Sequence, residues 1–453
     1  MKRIAPIAAL VLALASAALP LAAQPKVSEK QQIAIFALGY YGWAIPQETL
    51  GNIDLEIRKV FSDLGRFEIL SYSQSFSAAG VDQFIASIKK TKEANFVKPE
   101  KYQFGEAIFT EADYNRLLGA FIVATPVVAN FSSQYSQKSG YWETEIKTFV
   151  TFIDVAAGTT MAVAEVTTSG SDKQAQVKSI GNAIEAIPAQ LEYEIRKIPA
   201  FQINTRVLTV NGSEIKFQLG QNMGIKKGDE YSVISSSMVE GFKDEREVGL
   251  AVVKNVGAEV STAQVQYSGV KLAKDAQLRE IPRMGFDAEP YFRYLMGPSL
   301  DNNLDPKGDS GKNLVVGLKA PMSRGFYDVR PFVGLETALN GWRSVLTAFM
   351  IPINVFAGAE YRMRLGRLEI APQAAVGGSY IYLTEVLSGA SRDTSDTYIA
   401  HVGAQAYLDL GFLVTRDMRI FAEVGGEYWL TMSDWLYSSY GGVGASVGAS
   451  FKL

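Results

Sequence analysis

The C-terminal stretch Gly441–Leu453 reads GGVGASVGASFKL and alternates between apolar residues and small or polar ones. One face carries Val443, Ala445, Val447, Ala449, Phe451 and Leu453, and the other carries Gly442, Gly444, Ser446, Gly448, Ser450 and Lys452. Successive side chains of a β-strand point to opposite faces. The pattern therefore predicts a strand with lipid on one side and a polar interior on the other, as in a membrane barrel.

Similar alternation recurs in eight segments between Phe286 and the C-terminus. Short connections at residues 322–328, 364–366 and 414–417 alternate with longer ones at residues 297–311, 339–349, 383–398 and 432–439. Outer-membrane barrels keep short turns on the periplasmic side and long loops outside. We predict an antiparallel eight-stranded transmembrane β-barrel over residues 283–453, whose first strand starts in the periplasm.

Many charged residues of this region fall on the inner face of the predicted strands. An eight-stranded barrel has room for side chains but not for a wide channel, and an unpaired buried charge is costly. We therefore expect a lumen ion-pair network. Its predicted members are Asp287, Glu289, Arg293, Arg330, Glu360, Arg362, Arg367, Glu369, Asp409, Arg419, Glu423 and Glu427. Lys319, Glu336 and Gln405 share the same face.

The composition favours no catalytic chemistry. The 453 residues have a formal net charge of −3, so no basic excess indicates a nucleic-acid partner. The chain has no Cys and a single His, His401, which argues against thiol chemistry and a His-based metal site. No nucleotide-binding or metalloprotease motif is present. We predict a protein that is not an enzyme, with no catalytic, cofactor or metal residues.

The N-terminus has the pattern of a signal peptide at residues 1–23. Lys2 and Arg3 precede an apolar run over residues 4–19, and Leu21-Ala22-Ala23 offers small residues before a cut ahead of Gln24. An N-terminal membrane anchor is the alternative, although the run is short for a membrane-spanning helix. Export combined with a barrel predicts an outer-membrane location and contact with outer-membrane lipid. The region between the signal peptide and the barrel is then expected in the periplasm.

Residues 24–202 alternate between strand and helix patterns, which predicts an α/β domain. QIAIFAL at residues 32–38 predicts a strand, and apolar spacing at residues 50–64 predicts a helix that Gly65 ends. A further helix is predicted over residues 111–118 and a long one over residues 174–198. Residues 203–282 contain five short β segments and the turn-rich stretch from Gly220 to Asp229, which predicts a small five-stranded barrel or sandwich.

Short motifs of the α/β region resemble known periplasmic domains. QIAIF, LGRFEIL at residues 64–70, LGAFIV at residues 118–123 and FIDVAAG at residues 152–158 resemble the curli secretion channel lipoprotein and the TolB N-terminal (TolB-N) domain. GIKKGDEYSV at residues 224–233 resembles the SH3-like domain of the flagellar assembly protein FlgT. The resemblance implies a periplasmic interaction module, although the chain lacks a lipidated Cys and carries an added barrel.

The C-terminal barrel resembles the small OmpA/OmpX-type barrels. Phe451 and Leu453 resemble the signal read by the barrel-assembly machinery, with Leu where an aromatic residue is usual. Trp342, Trp435 and Tyr437 are candidate contacts of the extracellular loops. The favoured hypothesis is an outer-membrane anchor for a scaffold that binds an unknown periplasmic protein or cell-wall partner in envelope, secretion or flagellar assembly. A small pore, a secretion-channel component and a surface adhesin are the alternatives.

Overall fold

The computed structural model describes residues 27–40, 45–75, 78–91, 102–104, 107–110, 122–300, 311–345, 348–385, 399–432 and 438–453. These residues form a mixed sheet with helices, a closed six-stranded barrel and a closed eight-stranded barrel. The predicted signal peptide at residues 1–23, the helix predicted over residues 111–118, and Trp435 and Tyr437 lie outside the described residues.

The first unit is the α/β domain. Its strands are β1 (Gln31–Ala37), β2 (Gly39–Tyr40), β3 (Phe67–Ser75), β4 (Tyr102–Phe104), β5 (Ala107–Phe109), β6 (Ile122–Ser136), β7 (Tyr141–Asp154) and β8 (Thr159–Asp172). Its helices are α1 (Gln47–Asp63), α2 (Ala78–Thr91), α3 (Gln176–Glu185) and α4 (Ile187–Lys197). The main sheet has the order β3-β1-β6-β7-β8, with β1 parallel to β3 and β6, and an antiparallel meander from β6 to β8.

Helices cover both faces of this sheet. Apolar residues of α1, α3 and α4, such as Ile57 and Leu191, pack with Ile33 and Ile35 of β1 in one core. On the opposite face, α2 contributes to a second, smaller core that contains Phe36 of β1. Near-continuous apolar strands such as β1 are typical of a sheet that is buried on both sides.

The single helix predicted over residues 174–198 was wrong, because the chain forms two helices there. α3 ends at Glu185, and α4 begins at Ile187 with Pro188 in its first turn. Proline has no backbone N–H to continue the hydrogen-bond ladder, and its ring clashes with the carbonyl four residues earlier. Pro188 therefore ends the first helix and is tolerated only in the first turn of the second.

The second unit is a small barrel, which we call the small β-barrel. Its strands are β9 (Asn204–Asn211), β10 (Glu214–Gln218), β11 (Glu230–Val239), β12 (Phe242–Val256), β13 (Val260–Ser268) and β14 (Gln277–Ile281). They close in the order β10-β13-β12-β11-β14-β9 around an apolar core that includes Phe217, Tyr231 and Val253. The sequence predicted five strands, and the missed sixth strand is β14, which is only five residues long.

The third unit is the large barrel. Its strands are β15 (Asp287–Met296), β16 (Lys312–Pro321), β17 (Val329–Ala338), β18 (Arg343–Val345), β19 (Ala348–Tyr361), β20 (Met363–Leu365), β21 (Leu368–Glu385), β22 (Ile399–Leu413), β23 (Met418–Thr431) and β24 (Tyr440–Lys452). β18 and β20 are short extensions, and the eight longer strands pair antiparallel in a closed ring. The ring is completed by β15 with β24 and by β19 with β21, which confirms the predicted closed eight-stranded antiparallel barrel.

The large barrel is apolar outside and charged inside. Exposed apolar side chains cover its outer surface, among them Phe292, Val333, Val355, Val376, Leu410, Val424, Leu430 and Val447. In β24, Val447 is 62% exposed whereas Ser446 is 2% exposed, so the two faces lie as the alternation predicts. This distribution is that of a transmembrane β-barrel.

Candidate functional site: a charged lumen and a buried domain junction

One half of the lumen is organised around Arg293. Its guanidinium lies 2.5 Å from Glu427, 3.0 Å from Glu336 and 3.2 Å from Glu423. The guanidinium carbon also lies 3.9 Å from the ring centre of Tyr407. A guanidinium has five N–H donors, so one Arg can serve several carboxylates.

The other half, nearer to the small β-barrel, is organised around Arg362 and Arg419. Glu289 lies 3.3 Å from Arg362 and 2.9 Å from Arg419. Asp409 is 2.7 Å from Arg419, and Glu360 is 2.7 Å from Arg362. Further pairs in this half are Arg330 with Asp287 at 2.6 Å and Arg362 with Glu369 at 3.1 Å.

Lys319 joins the two halves. Its ammonium lies 2.8 Å from Glu423 and 3.3 Å from Glu289. A cavity in this part of the lumen, next to Lys319 and Arg293, has a volume of about 10 Å³. That is about the minimum that holds one water molecule, so the lumen here is filled by paired side chains.

Arg367, a predicted member of this network, lies elsewhere, and its assignment needs correction. Its guanidinium donates to the backbone carbonyls of Leu413 and Val414 and stacks on the ring of Tyr267 in the small β-barrel, 3.8 Å from the ring centre. Arg367 lies between β20 and β21 at the end of the barrel, where the turn rather than strand alternation sets its direction. It therefore contacts the small β-barrel instead of the lumen.

The other candidate residues that the structure describes lie at the two ends of the barrel. Phe451 is 42% exposed on the outer face, and the backbone N–H of Leu453 donates to the carbonyl of Phe286 at 3.2 Å. At the opposite end, the indole N–H of Trp342 donates to the hydroxyl of Thr337 at 2.7 Å. Trp342 is thus held against the barrel's rim while its side chain stays 41% exposed.

A chain of ion pairs links all three units, and we call it the junction chain. From the α/β domain, Arg66 lies 2.8 Å from Glu280 of the small β-barrel, and Arg196 lies 2.7 Å from the same carboxylate. Arg196 also lies 3.4 Å from Asp229 of the small β-barrel. Asp229 in turn lies 2.8 Å from Arg324, which belongs to the turn between β16 and β17 of the large barrel. The chain ends where Arg324 pairs with Glu192 of α4.

Most of the junction chain is buried, and two of its carboxylates, Glu280 and Glu192, are held in their charged form. Burial alone would raise the pKa of Glu280, but Arg66 and Arg196 outweigh burial and hold it well below its usual range. Burial would likewise raise the pKa of Glu192, and Arg324 with Lys226 lowers it instead. Buried pairs of this kind are costly to break, because removal of one partner leaves a charge without compensation.

Close backbone packing accompanies these charges. Gly228 has a φ of +80° and packs against the carbonyl oxygens of Ser323 and Phe326 in the β16–β17 turn, where a Cβ atom would overlap them. The N–H of Gly325 in that turn donates to the carbonyl of Lys227 at 2.7 Å. Leu250 and Ile281 of the small β-barrel form a small apolar cluster with Leu413 at the end of β22.

The sequence did not predict the junction chain. Its partners are far apart in the chain: Arg66 and Glu280 are separated by 214 residues. Arg66, Asp229 and Arg324 lay in stretches that the sequence singled out, but for a family resemblance, a turn propensity and a short connection rather than for charge partners. No local periodicity marks which charged residues of one domain face another domain.

Three other features of the described parts bear on the candidate site. No group of three or more His, Asp or Glu residues that could hold a metal ion occurs within the described ranges. Among the helices of those ranges, none is both long and apolar enough to cross a membrane. A groove of about 1330 Å³ lies between the α/β domain and the small β-barrel, bordered by Gln31, Gln202, Ser236 and Lys243.

Comparisons with known proteins give low similarity. No protein-family model and no curated protein sequence matches the chain. Neisserial surface protein A is 13% identical over 37% of this chain and 97% of its own, with a TM-score of 0.27. Ail, the attachment invasion locus protein of Yersinia pestis, is 13% identical over 37% of this chain and 99% of its own, with a TM-score of 0.23. Lipoprotein GNA1162 from Neisseria meningitidis is 12% identical over 35% of this chain and 94% of its own, with a TM-score of 0.21. With TM-scores this low, these similarities support no conclusion about function.

Proposed function

We propose that this protein is a non-enzymatic outer-membrane anchor that holds a two-part periplasmic module rigidly against the membrane. The large barrel supplies the anchor, and the α/β domain with the small β-barrel supplies the module. In this proposal residues 283–453 span the outer membrane and residues 24–282 lie in the periplasm. The barrel-assembly machinery inserts the chain through its C-terminal strand.

The junction chain is the observation that carries the proposal. A flexible tether would leave the barrel turn and the periplasmic domains without contacts. Here Arg324 of the barrel turn pairs with both the small β-barrel and the α/β domain. Such buried pairs fix the direction in which the module faces, because each partner loses its compensation if the domains rotate.

The packed lumen favours an anchor over a pore. Cations and carboxylates pair across the interior, and the cavity beside Lys319 has a volume of about 10 Å³. An ion or solute would need a continuous water-filled path. The purified full-length protein should therefore give no steady conductance in planar bilayers, and regular single-channel steps would contradict the proposal.

Orientation can be tested with single cysteines, because the chain has none of its own. Lys312→Cys lies at the long-loop end of β16, and Lys178→Cys lies on α3 of the α/β domain; both positions are exposed. An impermeant thiol reagent should label Lys312→Cys on intact cells and Lys178→Cys only after the outer membrane is permeabilised. The reverse pattern would overturn the proposed orientation.

The proposed partner is a periplasmic protein or a cell-wall component. A photo-crosslinking residue at Ser236, which borders the groove, would be compared in intact cells with one at Lys312 on the opposite side of the membrane. The anchor proposal expects a defined adduct from Ser236 and none from Lys312. An adduct from Lys312 alone would favour a surface adhesin.

A further inference from the structure

The seam of the large barrel, where its first strand meets its last, is interrupted near the small β-barrel. β15 pairs with β24 from Tyr291 to Met296 and again at Asp287 and Ala288, but residues 289 and 290 have no paired partner in β24. On its other side, β24 pairs with β23 without interruption from Met418 to Trp429. The last part of the seam is therefore a short segment separated from the main ladder.

Pro290 explains the interruption. Its carbonyl oxygen lies on the side of β24, next to Gly448. In an antiparallel pair, the N–H and C=O of one residue point to the same neighbouring strand. The donor that proline lacks is therefore missing from the seam itself.

The small β-barrel contacts both sides of the separated segment. Arg283, which lies just before β15, donates to the carbonyl of Lys452 in β24 at 3.2 Å. Glu230 of β11 accepts a hydrogen bond from Arg283 at 3.0 Å and forms an ion pair with Lys452. One carboxylate thus bridges a cation on each side of the seam.

These charges are largely removed from water. Glu230 is 7% exposed, and the side chains of Arg283 and Lys452 are 12% and 10% exposed. A second carboxylate, Asp417 in the β22–β23 turn, lies 2.7 Å from Arg283. The two pairs of Glu230 are well covered and therefore costly to break, unlike the pair of Arg283 with Asp417, whose side chain is 51% exposed.

We propose that the small β-barrel is a clasp for the seam of the large barrel, with Glu230 as the residue that holds β15 and β24 together. The separated segment of β15 pairs with β24 only at Asp287 and Ala288. Just before β15, the N–H of Met284 donates to the carbonyl of Leu453 at 2.7 Å, and the N–H of Leu453 donates to the carbonyl of Phe286 at 3.2 Å. The clasp therefore makes docking of a periplasmic domain part of barrel closure.

Hydrogen exchange of the full-length protein in lipid nanodiscs tests the clasp. Mass spectrometry would follow peptides that contain Met284 and Leu453, compared with peptides from residues 291–296 and 443–448. In Glu230→Ala, exchange at the two seam-end amides should rise about tenfold or more, because local opening governs exchange and the buried charges lose their shared partner. The rest of the seam should keep its exchange rate.

Two further variants distinguish loss of the clasp from a general loosening of the contact between the two barrels. Glu247→Ala removes another ion pair between the small β-barrel and the large barrel, to Arg416, but it does not touch the seam. It should leave the seam-end amides unchanged, and an equal rise in this variant would overturn the proposal. If Glu230→Ala does not assemble, the same exchange measurement is made on Lys452→Met, which breaks only the ion pair between Glu230 and β24. Unchanged exchange in Lys452→Met, or an equal rise along the whole seam, would also overturn the clasp.

Discussion

At the scale of single residues, Glu423 has one of the most connected side chains in the lumen. Its carboxylate contacts Lys319 at 2.8 Å, Arg293 at 3.2 Å and the hydroxyl of Ser446 at 2.6 Å. We predict that Glu423→Ala destabilises the barrel by about 3–5 kcal/mol, because two buried cations lose a shared partner. The temperature at which the folded band disappears from heat-modifiable gels would measure the loss.

Glu423→Gln is the matched comparison, because it keeps the shape and removes only the charge. It should lower the unfolding temperature less than Glu423→Ala does. If both variants unfold at the wild-type temperature, the lumen is hydrated and not held by ion pairs.

Gly228 gives a second prediction at the scale of single residues. Gly228→Ala should weaken the docking of the small β-barrel, because the new Cβ would overlap backbone oxygens of the β16–β17 turn at a φ of +80°. Gly241→Ala is the control: its φ is +87°, and a Cβ there would meet nothing within 4 Å. The strain of placing an alanine at such a positive φ costs about 1–2 kcal/mol in either variant. Urea unfolding of the full-length protein should show that cost for Gly241→Ala and a larger one for Gly228→Ala; equal costs would contradict the packing argument.

At the scale of elements, strand alternation determines which residues meet lipid. Val447 lies on the outer face of β24, opposite Phe292 of β15 and Ala422 of β23. We predict that Val447→Arg costs roughly 2–4 kcal/mol if the residue lies near the bilayer midplane. Val447→Leu, the control, should assemble as the wild type does. Heat-modifiable migration of purified membranes would report the folded fraction, and full assembly of Val447→Arg would place this face away from lipid.

The elements also explain which parts of the fold could be predicted from sequence. Period-two alternation is repeated in every strand of the large barrel, so its class and strand count followed from local pattern. The position of Pro188 alone would have predicted the break between α3 and α4. The prediction of a single helix relied on the apolar helical spacing and gave Pro188 too little weight. β14 reads QLREI, and its apolar residues Leu278 and Ile281 are three positions apart, so it lacks the period-two alternation that predicts a strand. The junction chain depends on contacts between distant residues, which no local pattern contains.

At the scale of the whole molecule, the junction chain makes the domain arrangement sensitive to acid. The pKa of Glu280 is lowered in the folded protein by Arg66 and Arg196 from an ordinary value of 4.5. Its stabilising contribution is therefore fully present above about pH 4.5 and is lost as the pH falls towards the lowered pKa. Within that range each pH unit removes up to about 1.4 kcal/mol from the free energy of unfolding.

We predict that Glu280→Gln weakens the junction at neutral pH and removes this part of the acid sensitivity. Urea unfolding of the full-length protein, followed by circular dichroism of the helices α1 to α4 of the α/β domain, would measure the free energy of unfolding from pH 7 to pH 3. The wild type should lose stability more steeply than Glu280→Gln below about pH 4.5. In this range unfolding of the wild type takes up a proton at Glu280, whereas the glutamine of the variant cannot bind one. Glu185→Gln, which changes an exposed glutamate of α3, should follow the wild-type curve. Identical slopes for the wild type and Glu280→Gln would mean that the Glu280 pairs do not hold the α/β domain against the small β-barrel.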